Sequence, residues 1–225
     1  MATIYSTTND GYVYRTASSW TSSRNGATGT SYNSTLTSNV QAISASRFSA
    51  RGGGYSYTIY RTFLHFDTSG ISGTVTDATL KIRGRSFNTG DVIALKATSG
   101  IATLTAADYD NIEGWDNANS DGSGGGDNES SVTKYSAEIS TWSMSGYNDF
   151  ALTSQAKTDM QNNDNLYVCL MNYDYDLKDI APTGYSDTRN GMYYANYTGT
   201  SRDPKIDYEV ASAVTDNAIF FGTNF

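Results

Sequence analysis

The chain has 225 residues, 15 basic against 23 acidic side chains and a net charge of −8. It has no Lys/Arg cluster of the kind that displaces counterions from phosphates, which argues against nucleic acid and anionic membranes as partners. One cysteine rules out an intramolecular disulfide, and one histidine rules out a zinc site built on histidines.

Residues 4–14 read as an opening strand with a turn at Asn9-Asp10-Gly11. Residues 17–35 are nearly all Ser, Thr, Asn, Gly and Arg around Trp20 and Tyr32, and read as a long surface loop. Further strands are expected over 40–48, 55–66, 75–85 and 92–98, with a flexible turn at Arg51-Gly52-Gly53-Gly54. In the strongest of these, Thr62, Leu64 and Phe66 point one way, while Arg61, Phe63, His65 and Asp67 point the other. Thr105 is placed to cap a short helix over 105–109.

Residues 116–130 form a low-complexity loop around Gly124-Gly125-Gly126. Strands follow at 132–142 and 147–152. One convincing helix runs over 153–161, capped by Thr153, with Ala156 and Met160 on one face. Strands at 166–172, 192–197 and 205–210 complete the set. The pattern predicts an all-β fold: a single antiparallel β-sandwich, jelly-roll-like, with one short helix, over residues 1–210, followed by a C-terminal arm, 211–225.

The order of these pieces resembles the DNRLRE-type β-sandwich, a domain similar to some carbohydrate-binding modules. The likeness rests on Arg61-Thr62-Phe63-Leu64-His65-Phe66-Asp67, on the stretch from Gly73 to Leu80, and on Trp115 and Trp142. The expected helix and Arg202-Asp203-Pro204-Lys205-Ile206-Asp207-Tyr208 complete it. It spans about residues 5–210 and departs at Tyr194-Ala195-Asn196-Tyr197. The resemblance implies a non-catalytic domain of a secreted polysaccharide-active protein, a surface adhesin or a phage virion protein.

Asn117-x-Asn119-x-Asp121-Gly122 resembles half of an EF-hand loop, and Asp116, Asp121, Asp127 and Glu129 are candidate oxygen ligands for Ca²⁺. The competing reading is a solvated loop. Asp174-Tyr175-Asp176, with Asp179, is a second acidic cluster, for which covering a strand end leads over acid/base chemistry. His65, lacking a nucleophile elbow anywhere in the chain, reads as structural, and Cys169 as a small buried hydrophobe.

Trp20, Trp115 and Trp142 are candidate platforms for stacking on a glycan, beside many tyrosines whose simpler role is cross-strand packing. Ile219, Phe220, Phe221 and Phe225 stand beyond the last expected strand, where a frayed polar segment is usual, and are candidate assembly contacts.

These readings lead to a non-enzymatic structural protein of a phage virion, either a capsid decoration or a tail or fibre component. Its partners would be other virion proteins and copies of itself. The start at Met1 without a signal peptide adds to that expectation. The alternative is a carbohydrate-binding or adhesive surface module, extracellular or on a cell surface, stabilised by Ca²⁺.

Overall fold

The computed structural model describes residues 1–98, 103–115 and 128–211. Eleven strands appear among them: β1 Ala2–Tyr5, β2 Gly11–Ala17, β3 Ser31–Asn33, β4 Ser38–Ser49, β5 Tyr55–Asp67, β6 Val75–Asn88, β7 Val92–Lys96, β8 Tyr147–Ala151, β9 Asn165–Asn172, β10 Ser186–Tyr193 and β11 Lys205–Val210. The helical segments are α1 Trp20–Arg24, α2 Asn128–Ser131 and α3 Ser154–Asn162, with a 3₁₀ turn, Ala106–Asp110, and a π turn, Tyr173–Leu177.

Every strand pairing is antiparallel, and the fold is the expected all-β sandwich. Two long strands organise it by changing partners. The first half of β5 lies between β2 and β4, and its second half pairs with β9 from Thr62↔Leu170 to Asp67↔Asn165. The first half of β6 lies between β11 and β8, and beyond Gly84 it pairs with β10.

Because side chains alternate along a strand, β5 serves two cores at once. Leu64 and Phe66 enter a core shared with Leu80, Ile82, Phe150, Val168, Leu170 and Ile206. Ile59 and Phe63 face a second core with Val13, Ile93, Leu95, Cys169 and Met171. The near-continuous apolar run of β9 has the same cause, since both of its faces are covered. Each fully buried Leu or Phe contributes at most about 1.5–3 kcal/mol.

The structure corrects the expected element map in four places. Residues 17–35 are not simply a loop. Ser19 caps α1 by accepting from the Ser22 amide, and Trp20, Ser23 and Arg24 are buried over the second core. The opening strand breaks at residues 6–10, where Asp10 turns the chain inward. Residues 132–142 make only bridges, Lys134 to Leu95 and Ile139 to Val92, rather than a strand. The strand expected at 192–197 lies earlier, at β10. The short helical turn expected at 105–109 is present as the 3₁₀ turn Ala106–Asp110 with Thr105 at its N-cap, while α1, α2 and the π turn are additional. Asp108 accepts from both the Thr105 amide and hydroxyl.

Gly84 sits where β6 changes sheets. A Cβ there would stand 1.9 Å from the Ser143 carbonyl oxygen, a backbone atom. Gly84→Ala is expected to cost about 1–3 kcal/mol or more by overpacking, seen in a thermal melt as a fall of several degrees in Tm. An unchanged Tm would show that the 143–146 turn yields freely.

Candidate functional site

Three places concentrate polar chemistry: an open cavity, a buried ionic cluster and a buried carboxyl group.

The cavity, about 580 Å³, opens between the end of β7, Glu113 and the turn from α3 to β9. Thr153 accepts from the Ala156 amide to start α3, and the Asn163 amide donates to the Asp159 carbonyl to end it. That places Asn162, Asn163, Asp164 and Asn165 along the rim. On the inner wall, the Lys96 ammonium pairs with Glu113 Oε2 at 2.9 Å and Asp159 Oδ2 at 3.1 Å. The buried Tyr135 hydroxyl donates to the same Asp159 oxygen at 2.6 Å. Desolvation works against the Lys96 charge, but bonds to Glu113 and Asp159 outweigh it and hold the group above its ordinary pKa. Tyr167 forms another wall, its ring stacked on His65 at 4.8 Å. His65 is anchored by Thr7 Oγ1 and Asn165 Oδ1, the structural role its sequence context suggested. Both carboxylates are committed to Lys96. The arrangement therefore offers donors, acceptors and a ring to a hydroxyl-rich ligand, rather than a free base.

The ionic cluster lies over the second core. Asp176, fully buried, receives two bonds from Arg61, Nε to Oδ2 and Nη2 to Oδ1, both 2.8 Å. Arg61 Nη1 and Nη2 also donate to the carbonyls of Tyr109 and Arg24. Its guanidinium lies 4.2 Å from the ring centres of both Tyr109 and Trp115. Arg24, also fully buried, donates to the carbonyls of Asp176 and Leu177 and pairs with Asp179 at 3.4 Å. Desolvation would lower the pKa of Arg61, yet the Asp176 charge and the surrounding groups raise it above its ordinary range. For Arg24 desolvation wins and its pKa falls.

The buried carboxyl is Asp10. Its Oδ2 accepts from the Ala195 amide and the Ser6 hydroxyl, while Oδ1 is enclosed and has no partner among the described residues. Burial pushes its pKa up to about 7, against the two hydrogen bonds, with a smaller contribution from Asp203.

The residues singled out from sequence fall as follows. Trp20 and Trp142 are buried, their indoles donating to Asp179 Oδ1 and the Gly191 carbonyl. Neither presents a face to a sugar, and the stacking assignment is withdrawn for both. Trp115 is half-buried, with Arg24 and Arg61 at its ring, so it belongs to the ionic cluster. Asp176 is locked against Arg61, which removes it as a group able to reach a substrate. Asp174 Oδ2 accepts the Asp91 amide. Glu129 accepts from Tyr173 and pairs with Lys134 at 3.6 Å, so a cation already faces it. Asp116, Asp121 and Asp127, and the arm residues Ile219, Phe220, Phe221 and Phe225, lie outside the described residues. Cys169 is fully buried and its pKa is raised by that burial.

By fold, the chain is an all-β antiparallel sandwich whose second face is closed by a buried arginine–aspartate cluster. No protein-family model matches it, and no curated protein matches it.

Proposed function

We propose that the chain is a non-enzymatic structural protein of a phage particle, a capsid decoration or a tail or fibre component, joined to its neighbours through the segment after β11. One observation carries this reading. It is the run of four large apolar residues, Ile219, Phe220, Phe221 and Phe225, that follows β11 in the sequence. Three buried Phe side chains contribute at most about 1.5–3 kcal/mol each, enough to offset the ordering of a short segment where a neighbour receives it. Low charge and an abundance of hydroxyl and amide side chains support the particle surface as the setting.

On this reading, deleting residues 217–225 leaves Tm within a degree or so and abolishes self-association and incorporation into particles. Unfolding of the deleted chain would place the segment in its own core and remove the reading.

A second reading, carbohydrate recognition, draws on the cavity at Lys96 and Tyr167 rather than on the tryptophans. Sugar binding by the monomer that is lost in Tyr167→Ala, with the fold intact, would support it. A glycan array without specific binding would end it. For Ca²⁺, the loop of 116–129 keeps three candidate carboxylates but meets a committed Glu129. Calorimetry without Ca²⁺ uptake would remove that ligand.

A further inference from the structure

A lysine and an aspartate from different elements meet at the inner wall of the cavity. Lys96 ends β7, and Asp159 lies in α3. Lys96 Nζ stands 3.1 Å from Asp159 Oδ2 and 2.9 Å from Glu113 Oε2. One amine thus touches two carboxylates that differ in burial. The Asp159 side chain is 11% exposed and that of Glu113 44%.

The surroundings of Asp159 set it apart from the partner of a surface ion pair. Both of its oxygens accept from neutral donors, Oδ2 from the Tyr135 hydroxyl at 2.6 Å and Oδ1 from Gln155 Nε2 at 3.0 Å. Tyr135 is buried, and its burial and the bond to Asp159 push its pKa up, so it stays a donor. Thr153 caps α3, and Ala156 and Met160 anchor the helix in the first core, which holds the carboxyl in place. A nucleophile, a base, an electrophilic carbon and donors on both of its oxygens are therefore in contact. These are the parts that acyl transfer needs.

We propose that Lys96 and Asp159 join in an intramolecular isopeptide bond, formed by the chain itself with Glu113 as proton carrier. The step begins with transfer of one ammonium proton to Asp159 Oδ2. This turns an ion pair into an amine and a carboxylic acid without change of net charge, a conversion that burial favours. The bonds that hold the resting amine charged run to these same two carboxylates, so the proton needs no path through solvent. Nζ then attacks Cγ. Glu113 takes a second proton from the nitrogen and passes it to Oδ2 as the Cγ–Oδ2 bond breaks. The N–Cγ bond replaces it, Oδ2 leaves as water with both protons, and Glu113 ends as it began. Gln155 donates to Oδ1, where charge develops in the tetrahedral intermediate, and Tyr135 donates to the departing oxygen. The product ties α3, which packs on β6, to β7, and so staples one sheet of the sandwich to the other. The inference stands independently of the assembly reading.

Intact-mass spectrometry of the full chain, unfolded in denaturant, tests this. The chain is expected to be lighter than its sequence by one water, and digestion should release a branched peptide containing Lys96 and Asp159. K96R should restore the full mass. E113Q keeps both reacting groups and, timed from synthesis, should lose water about 100-fold more slowly than the parent, as removal of a proton carrier requires. A circular-dichroism spectrum matching the parent's shows that E113Q is folded. A folded parent chain that keeps its full mass overturns the proposal and leaves Lys96 a simple ion-pair partner. A missing water that persists in K96R places the loss at another residue and overturns it as well. Bond formation in E113Q at the parental rate overturns the role of Glu113.

Discussion

Arg61→Met is expected to destabilise the fold by about 3–5 kcal/mol, because it leaves the Asp176 carboxylate buried with its main partner gone. Arg61 supplies two 2.8 Å bonds to that carboxylate, and Arg24 approaches the nearer oxygen only to 3.9 Å. The same change also frees the carbonyls of Tyr109 and Arg24. Asp176→Asn should cost a similar amount, since the fully buried Arg61 would lose its carboxylate partner and Arg24 would keep only Asp179. Urea unfolding curves give the measure, as a lower midpoint with an unchanged slope. Replacing Arg61 and Asp176 together by apolar residues should recover part of the loss, because no unpaired charge remains at the pair. A single variant as stable as the parent would show that water enters the cluster and that the pair does not hold the second face.

Stability should fall as pH rises from about 4 to 7, and Asp10→Asn should remove most of that fall. The folded-state pKa of Asp10 is raised from 3.8 to about 7, so the folded chain holds a proton that the unfolded chain releases. The stabilisation from the neutral carboxyl is therefore complete below about pH 4 and is lost as pH passes through about 7. At 1.36 kcal/mol per pKa unit the swing is on the order of 4 kcal/mol. The cause is burial of the carboxyl, whose enclosed Oδ1 has no partner among the described residues and is costly to leave charged. Asp203 shifts in the same direction for the same reason, burial, so a smaller slope should survive in the Asp10→Asn variant. Melts at pH 4, 5.5, 7 and 8 decide it. If the parent chain is flat across that range, Asp10 is solvated. If the variant keeps the full slope, other groups cause it.

The sheet was legible from sequence because alternation is local. Thr62, Leu64 and Phe66 against Arg61 and Phe63 gave the central strand and its two faces. Thr153 with Ala156 and Met160 gave α3. What alternation does not carry is the layer that covers a face. Residues 17–35 read as loop because Ser and Thr dominate, yet Ser19 caps a short helix that buries Trp20 and Arg24. The ionic cluster joins positions 24, 61 and 176, and the cavity joins 96, 113 and 167. No linear spacing connects either set. Arg61 was visible as a charged residue in mid-strand, on the same face as Ile59 and Phe63, the usual mark of a buried ion pair, and this signal would have located the cluster. The tryptophans misled because an indole in a polar stretch looks exposed, whereas the Trp20 and Trp142 rings are buried and their N–H groups bonded.

The central proposal is that residues 212–225 join copies of the chain. Sedimentation equilibrium of the full chain and of the chain ending at Ala211, over a range of concentrations, tests it most directly. The account predicts concentration-dependent association for the first and a folded monomer for the second. Equal masses at every concentration, or a truncated chain that no longer folds, would contradict it.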